Sequence, residues 1–135
     1  MQSRKVYEVC RKYGKPVIVM EPVKGGCLVN LPDEAQKVFD ELHGGSNASY
    51  AIRFAAGHEG IMMVLSGMGN MEMMEDNLSY MKDFKPLTEE EMEAVRKVTK
   101  VFDSLDLIPC TACRYCLEEC PKQIHIPDLF ALLNS

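Results

Sequence analysis

Four cysteines lie close together near the C-terminal end of this 135-residue sequence, and their spacing constrains the chain more than any other feature. The run is Cys110-x-x-Cys113-x-x-Cys116-x-x-x-Cys120, followed directly by a proline. Three thiolates at this spacing wrap one side of a cubane and bind three of its irons, as in bacterial-type [4Fe–4S] ferredoxins. The run therefore predicts a 4Fe-4S cluster, with Cys120 as the candidate fourth ligand.

The identity of that fourth ligand stays open, as does the choice of metal. In two-cluster ferredoxins the fourth cysteine of such a run binds the other cluster, and this sequence has no second run. Of the two remaining cysteines, Cys10 lies in a predicted helix face, whereas Cys27 follows two glycines and is a further candidate. A structural zinc site is the alternative, although zinc sites usually pair two short cysteine knuckles across a longer loop.

Composition excludes several classes of protein. The formal net charge is −5, which argues against a general nucleic-acid binder because phosphate affinity comes mainly from Lys and Arg. No apolar run approaches the roughly 20 residues of a membrane span, and no signal-peptide pattern follows the N-terminus. We expect a cytoplasmic chain whose clustered cysteines bind metal rather than form disulfides.

Two short apolar runs, Val17–Met20 and Ile61–Leu65, predict buried parallel strands. Each run is followed by a glycine turn and then by helical periodicity, which fits a right-handed crossover between parallel strands. Helices are predicted over residues 4–13, 33–42, 47–57 and 71–82, and Asn70 is the candidate cap of the fourth. A fifth helix follows the Thr88–Glu91 capping box, has apolar residues on one face through Leu105, and is ended by Ile108-Pro109. These patterns predict an α/β fold with a boundary near residue 87, dividing the chain into 1–87 and 88–135.

The glycine turns after the two strands are candidates for anion binding. At Gly67-Met68-Gly69-Asn70 the backbone N–H groups of a helix start point toward anything above the strand end. Lys24, beside Gly25-Gly26, would add a positive charge from the neighbouring strand. Glycines after strands are also common turn chemistry, so the spacing alone leaves phosphate binding open.

The segment IMMVLSGMGNMEMMEDN (61–77) resembles the last strand and following helix of aldo-keto reductases. The segment VIVMEPVKGG (17–26) is similar to the strand before it, and the CTACRYCLEECP run resembles the iron–sulfur branch of that family. The resemblance implies a partial (β/α) TIM-barrel end of two βα units, followed by a helical ferredoxin-type iron–sulfur segment. It implies that the nicotinamide cofactor, NAD(P), contacts the following residues: Lys24, Gly25, Gly67, Met68, Asn70, Met73, Asp76 and Asn77.

The sequence also departs from that family. A complete barrel has eight strands and about 250 residues, and no residue here matches the family's catalytic Asp, Tyr, Lys and His. Many relatives have Arg or Gln at the position of Met73, where it contacts the 2′-phosphate of NADP. Met cannot make that contact, so the choice between NAD and NADP stays open.

We therefore interpret the chain as the non-catalytic C-terminal portion of an NAD(P)-dependent oxidoreductase, with a cluster that exchanges electrons with a redox partner protein. The alternatives are a small stand-alone electron carrier or interaction module, and a zinc-stabilised binding domain. Open strand edges beside apolar side chains further predict self-association.

Overall fold

The computed structural model describes residues 3–42, 44–105, 107–108 and 110–134. Seven helices and two strands are present in these ranges. In chain order they are α1 (Arg4–Lys12), β1 (Val17–Val19), α2 (Asp33–Asp40), α3 (Asn47–Ala56), β2 (Ile61–Val64), α4 (Met71–Met81), α5 (Glu89–Ser104), α6 (Tyr115–Glu118) and α7 (Ile126–Leu133). A 3-10 turn, Lys24–Gly26, follows β1.

The two strands pair in parallel, as the sequence predicts. Val17 lies opposite Ile61 and Val19 opposite Val64, with one irregularity in the ladder after Val17. The connection between the strands carries α2 and α3, and α3 packs against β2. The resulting mixed helix and strand architecture, with a small parallel sheet, fits part of an aldo-keto reductase fold.

The expectation that both strands are buried is wrong for the part of the chain that the structure describes. Ile18 is 48% exposed and Met62 is 60% exposed, while the strand residues that are not exposed are only half-buried. The apolar runs signalled strands correctly. Burial on both faces, however, requires cover on both faces, and the helix cover that the structure describes for the sheet is the packing of α3 against β2.

The hydrophobic core is formed between helices rather than at the sheet. Ala35 and Phe39 of α2, Tyr50 of α3, and Ala94 and Val98 of α5 are its buried members. The rings of Phe39 and Tyr50 stack with their centroids 4.4 Å apart. Helix α5 therefore shares the core of the preceding βα units, and the domain boundary near residue 87 stays a prediction.

Local capping signals place the helix starts. The Asn70 side chain accepts a hydrogen bond from the Met73 N–H, and Thr88 and Glu91 form a reciprocal capping box, both as predicted. Ser46 caps α3 by accepting from the Ser49 N–H. Among the described helices, none is both long and apolar enough to cross a membrane.

Candidate functional site

The carboxyl ends of β1 and β2 meet at one edge of the sheet because the strands are parallel and paired up to Val19 and Val64. The Lys24–Gly26 turn leaves this edge after β1, and residues 65–70 leave it after β2. Ligands of α/β proteins commonly bind outside this edge. The structure thus brings the two predicted glycine turns to the same side of the sheet, which we call the cofactor edge.

The first turn of the cofactor edge has left-handed backbone at four positions. Glu21, Lys24, Gly25 and Gly26 have φ values of 53°, 49°, 63° and 96°. The Gly25 N–H donates to the Glu21 carboxylate at 2.8 Å. The backbone N–H of Gly25, a residue that the resemblance places at the cofactor, is therefore occupied by a carboxylate of the same turn, beside the exposed Lys24 side chain.

The second turn is exposed and leads into the start of α4. A Cβ atom added at Gly67 or at Gly69 would meet no heavy atom within 4 Å, so the space beside both glycines is open. Asn70 holds the first turn of α4 by accepting the Met73 N–H at 2.8 Å. Met68 and Met73 are exposed at 42% and 50%. An unobstructed helix start of this kind suits an anion, because its backbone N–H groups lack intrahelical partners.

Asp76 and Asn77 lie half-buried on α4 and are already hydrogen-bonded within the protein. Ser46 Oγ donates to Asp76 Oδ2 at 2.7 Å, which ties α4 to the start of α3. Asn77 Nδ2 donates to Ser66 Oγ at 2.9 Å, and Asn77 Oδ1 accepts from the Tyr80 hydroxyl. Burial, together with the nearby Asp76 carboxylate, raises the pKa of Tyr80 to about 12.

Sequence reasoning missed these hydrogen-bonding partners. Ser46 precedes a predicted helix and has the chemistry of an N-cap, which is the one local signal that could have drawn attention to it. Its bond to Asp76 spans 30 residues, however, and no local pattern encodes such a pairing. Tyr80 lies three residues after Asn77 on the same helix, a spacing at which side chains meet.

The four clustered cysteines occupy an irregular segment that includes the short helix α6. All four thiols are free; Cys110 and Cys120 are half-buried, whereas Cys113 and Cys116 are exposed. Ala112, Arg114 and Gln123 have left-handed φ values of 53°, 63° and 52°. The chain therefore turns sharply within and after the run.

Backbone N–H groups point at two of these sulfur atoms. Ala112 N–H donates to Cys110 Sγ and Ile124 N–H donates to Cys120 Sγ, each at 3.4 Å. The Ile124 N–H, followed by that of Lys122, lowers the pKa of Cys120, and these bonds outweigh the opposing effect of burial. Because the thiolate is the form that binds metal, the contacts at Cys120 favour the chemistry that a metal ligand needs.

The described structure does not bring three of these cysteines together around a single metal ion. Among the described residues, no three side chains of His, Cys, Asp or Glu are placed to hold a single metal ion. A structural zinc site requires four donors about one ion. In a cubane each thiolate binds its own iron, so the donors surround a larger group. The donor chemistry of the segment fits a thiolate-bound metal, and the gathering of the ligands stays a prediction.

The cofactor edge and the cysteine segment are in contact. The backbone of Gly25 lies against Thr111, the residue that follows Cys110. The C-terminal end returns to the same segment, because the Asn134 side chain forms two hydrogen bonds of 2.9 Å with the backbone of Ile108.

Comparison with known proteins bears on the first part of the chain. The model of the aldo/keto reductase family matches residues 1–100. The chain belongs to the aldo/keto reductase family. The match spans both strands, both glycine turns and most of α5, and it ends before the cysteine run. No curated protein matches the chain.

Proposed function

We propose that this aldo/keto reductase family chain is the C-terminal portion of an oxidoreductase, in which it contributes part of a nicotinamide-cofactor site. The observation that carries the proposal is the meeting of the two glycine turns at one edge of a parallel sheet, within the matched region. The contributing residues are Lys24, Gly25, Gly67, Met68, Asn70, Met73, Asp76 and Asn77.

The roles of these residues follow from their surroundings. Lys24 supplies positive charge for a cofactor phosphate, and the start of α4 supplies backbone N–H donors. Asn70 acts indirectly, because it fixes the α4 start on which those donors lie. Asp76 and Asn77 hold α4 against Ser46 and Ser66, so they shape the edge through the helix. The nicotinamide, when bound, supplies the hydride chemistry.

We propose no carbonyl reduction by this chain alone, since it carries no match to the family's acid–base residues. A steady-state assay with NADH or NADPH and a panel of aldehydes and quinones should show no turnover. Turnover that survives truncation after Ser104 would contradict the assignment of the chain to a non-catalytic portion.

Calorimetric titration with ADP, NAD and NADP tests the cofactor site. Lys24→Ala should weaken binding by about tenfold, because one charge-assisted phosphate contact is lost. Lys37→Ala, which removes a lysine from the exposed face of α2, is the matched control and should leave binding unchanged. If the wild-type protein, Lys24→Ala and Lys37→Ala bind these nucleotides with equal affinity, no phosphate is bound at the first turn.

For the cysteine segment we propose a 4Fe-4S cluster bound by Cys110, Cys113 and Cys116, with Cys120 as the fourth ligand. The ferredoxin-type spacing, the free thiols and the two N–H···S contacts support it. Such a cluster would pass single electrons between the nicotinamide-linked reaction and a redox partner protein. The ferredoxin-type segment begins after α5 and includes α6 and α7.

Anaerobic reconstitution tests the cluster. Iron and acid-labile sulfide should be incorporated together, with broad visible absorption. Cys113→Ser should abolish incorporation, whereas Cys10→Ser on α1 should not, and Cys27→Ser tests the further candidate ligand. Stoichiometric zinc without sulfide after anaerobic purification would overturn the proposal in favour of a zinc-stabilised domain.

A further inference from the structure

The cysteine segment rests on the first turn of the cofactor edge at a single glycine. A Cβ atom at Gly25 would lie 2.9 Å from the Thr111 carbonyl oxygen and 3.5 Å from Thr111 Cα. Real Cβ atoms do not approach backbone oxygen this closely, so any side chain at Gly25 would displace the cysteine segment or the turn. The φ of Gly25, +63°, also favours glycine.

The turn side of this contact is fixed by hydrogen bonds. Gly25 N–H donates to the Glu21 carboxylate at 2.8 Å, and Gly26 N–H donates to the Val23 carbonyl at 3.1 Å. The Cys27 N–H donates to the Lys24 carbonyl at 3.3 Å. These bonds leave the turn little freedom to move away from Thr111.

The other side of the contact belongs to the metal-binding run. Thr111 lies between Cys110 and Ala112, and Ala112 supplies the N–H that contacts Cys110 Sγ at 3.4 Å. A shift of the Thr111 backbone would therefore move the first cysteine and its N–H donor together. Ala112 and Arg114, which come after Thr111, both have left-handed backbone. Because this conformation is unfavourable for residues other than glycine, contacts from the surrounding structure are needed to hold it.

We propose that Gly25 is a positioning residue for the cysteine segment: the turn after β1 forms the seat on which Thr111 rests, and this seat holds Cys110 at the cofactor edge. The relevance to a cluster rests on the proposed function, while the seat itself is a property of the protein without metal. The turn that carries the predicted phosphate-binding lysine is then the same turn that orients the first cysteine.

Gly14 provides a matched control for a test by substitution. Its φ is +62°, almost that of Gly25, and a Cβ there would meet nothing within 4 Å. Gly14→Ala and Gly25→Ala therefore carry the same left-handed backbone penalty. They differ in the clash with Thr111, which exists for Gly25→Ala alone.

Hydrogen–deuterium exchange of the metal-free protein measures the effect. Gly25→Ala should accelerate exchange across residues 110–116 by about fivefold or more, the size expected for overpacking at one contact. Gly14→Ala should leave that peptide at the wild-type rate. Equal exchange in the two variants would overturn the proposal.

Peptides from α3 and α5 report whether Gly25→Ala remains folded, because those helices contribute to the hydrophobic core. If the variant unfolds, a nuclear Overhauser contact between Gly25 Hα and Thr111 in the wild-type protein decides the question, and its absence overturns the proposal.

After reconstitution, the half-life of the cluster under chelator should fall in Gly25→Ala relative to Gly14→Ala. A wild-type chain that takes up no cluster contradicts the proposed function, whereas the exchange test without metal still decides the role of Gly25.

Discussion

Arg53 and Glu91 form a buried ion pair that joins α3 to the start of α5. Their side chains are 10% and 11% exposed, and Arg53 donates from Nη1 at 2.7 Å and from Nη2 at 2.9 Å to the two carboxylate oxygens. Burial alone would raise the pKa of Glu91. The hydrogen bonds from Arg53 and from the Thr88 N–H together outweigh burial and lower it.

The lowered pKa of Glu91 predicts a pH-dependent stability. The ion pair makes its full contribution to stability at pH values above 4.5, the ordinary pKa of a glutamate side chain. This contribution is lost as the pH falls through the lower pKa that Glu91 has in the folded protein. Glu91→Gln should cost about 3 kcal/mol at neutral pH, because the buried Arg53 charge is left without its opposite charge. Urea unfolding across acidic and neutral pH should show this difference shrinking below pH 4.5. The exposed Glu90→Gln serves as control, and a cost of Glu91→Gln that does not vary with pH would contradict the assignment.

Glu21 opposes the ligand that the first turn is proposed to bind, because its carboxylate occupies the Gly25 N–H. Glu21→Gln keeps an acceptor for that N–H and removes the negative charge. We expect pyrophosphate to bind about threefold more tightly, a gain typical of one exposed charge interaction, and the gain should shrink at high salt. Glu34→Gln on the exposed side of α2 should have no effect. Unchanged affinity of the Glu21 variant in titration calorimetry would argue against an anion at this turn.

At the residue level, the sequence predicts contacts that close within one helical turn. Asn70 and the Thr88–Glu91 box were predictable because cap and partner lie three residues apart. The second role of Glu91, its ion pair with Arg53, could not be predicted, because 38 residues separate the two. Long-range pairing depends on the packing of α3 against α5, which no local pattern encodes.

At the level of elements, the predicted helices and strands are present and their ends differ by one or two residues. The helix predicted over 71–82 is Met71–Met81, and the strand predicted over 61–65 is Ile61–Val64. Periodicity fixes the type of an element, since it reports which faces meet apolar neighbours. Periodicity does not report whether other elements cover both faces of a strand. For this reason the expectation that both strands are buried was wrong.

Asn134, just after α7, forms a clamp that closes the cysteine segment. Its amide both donates to and accepts from the Ile108 backbone at 2.9 Å, and the four clustered cysteines lie between these two residues. Asn134→Asp removes the donor and sets a carboxylate beside the Ile108 carbonyl, at a cost of about 1 kcal/mol or more. We expect trypsin to cleave after Arg114 about fivefold faster. The exposed Asn30→Asp is the control, and equal cleavage of both variants would show that the clamp does not hold the segment.

At the level of the whole molecule, the stable core and the proposed chemistry are in different places. The hydrophobic core cluster lies between α2, α3 and α5, while the cofactor edge and the cysteine segment contribute no member to it. The contact of Gly25 with Thr111 joins the cysteine segment to the first turn of the cofactor edge, and the Asn134–Ile108 hydrogen bonds join the two ends of the C-terminal part to each other. The family match explains the arrangement of the sheet and its turns, and it ends before this segment.

The sheet leaves a broad apolar surface exposed to water. With two strands in the described structure, each strand has one paired edge and one open edge. Open edges offer unpaired N–H and C=O groups, and neither strand contains a Lys or a Pro that would block pairing with another chain. Large apolar side chains are exposed on or next to the strands, namely Ile18, Met20, Met62, Met63 and Leu65, and further ones are exposed on α4, namely Met71, Met73, Met74 and Leu78.

Exposed apolar side chains favour association, and an isolated two-stranded sheet is marginal in water. We therefore predict that the chain self-associates through strand pairing, which light scattering coupled to size exclusion should show as a mass above 15.2 kDa that rises with concentration. Ile18→Lys places a charge on the open face of β1 and should shift the distribution toward monomer. Val9→Lys is the matched control, because Val9 lies on α1 and not on a strand, and its 55% exposure is comparable to the 48% exposure of Ile18. A monodisperse wild-type monomer with a sharp cooperative melt would contradict the prediction and would favour a self-sufficient small protein, since such a chain needs no partner to cover its sheet.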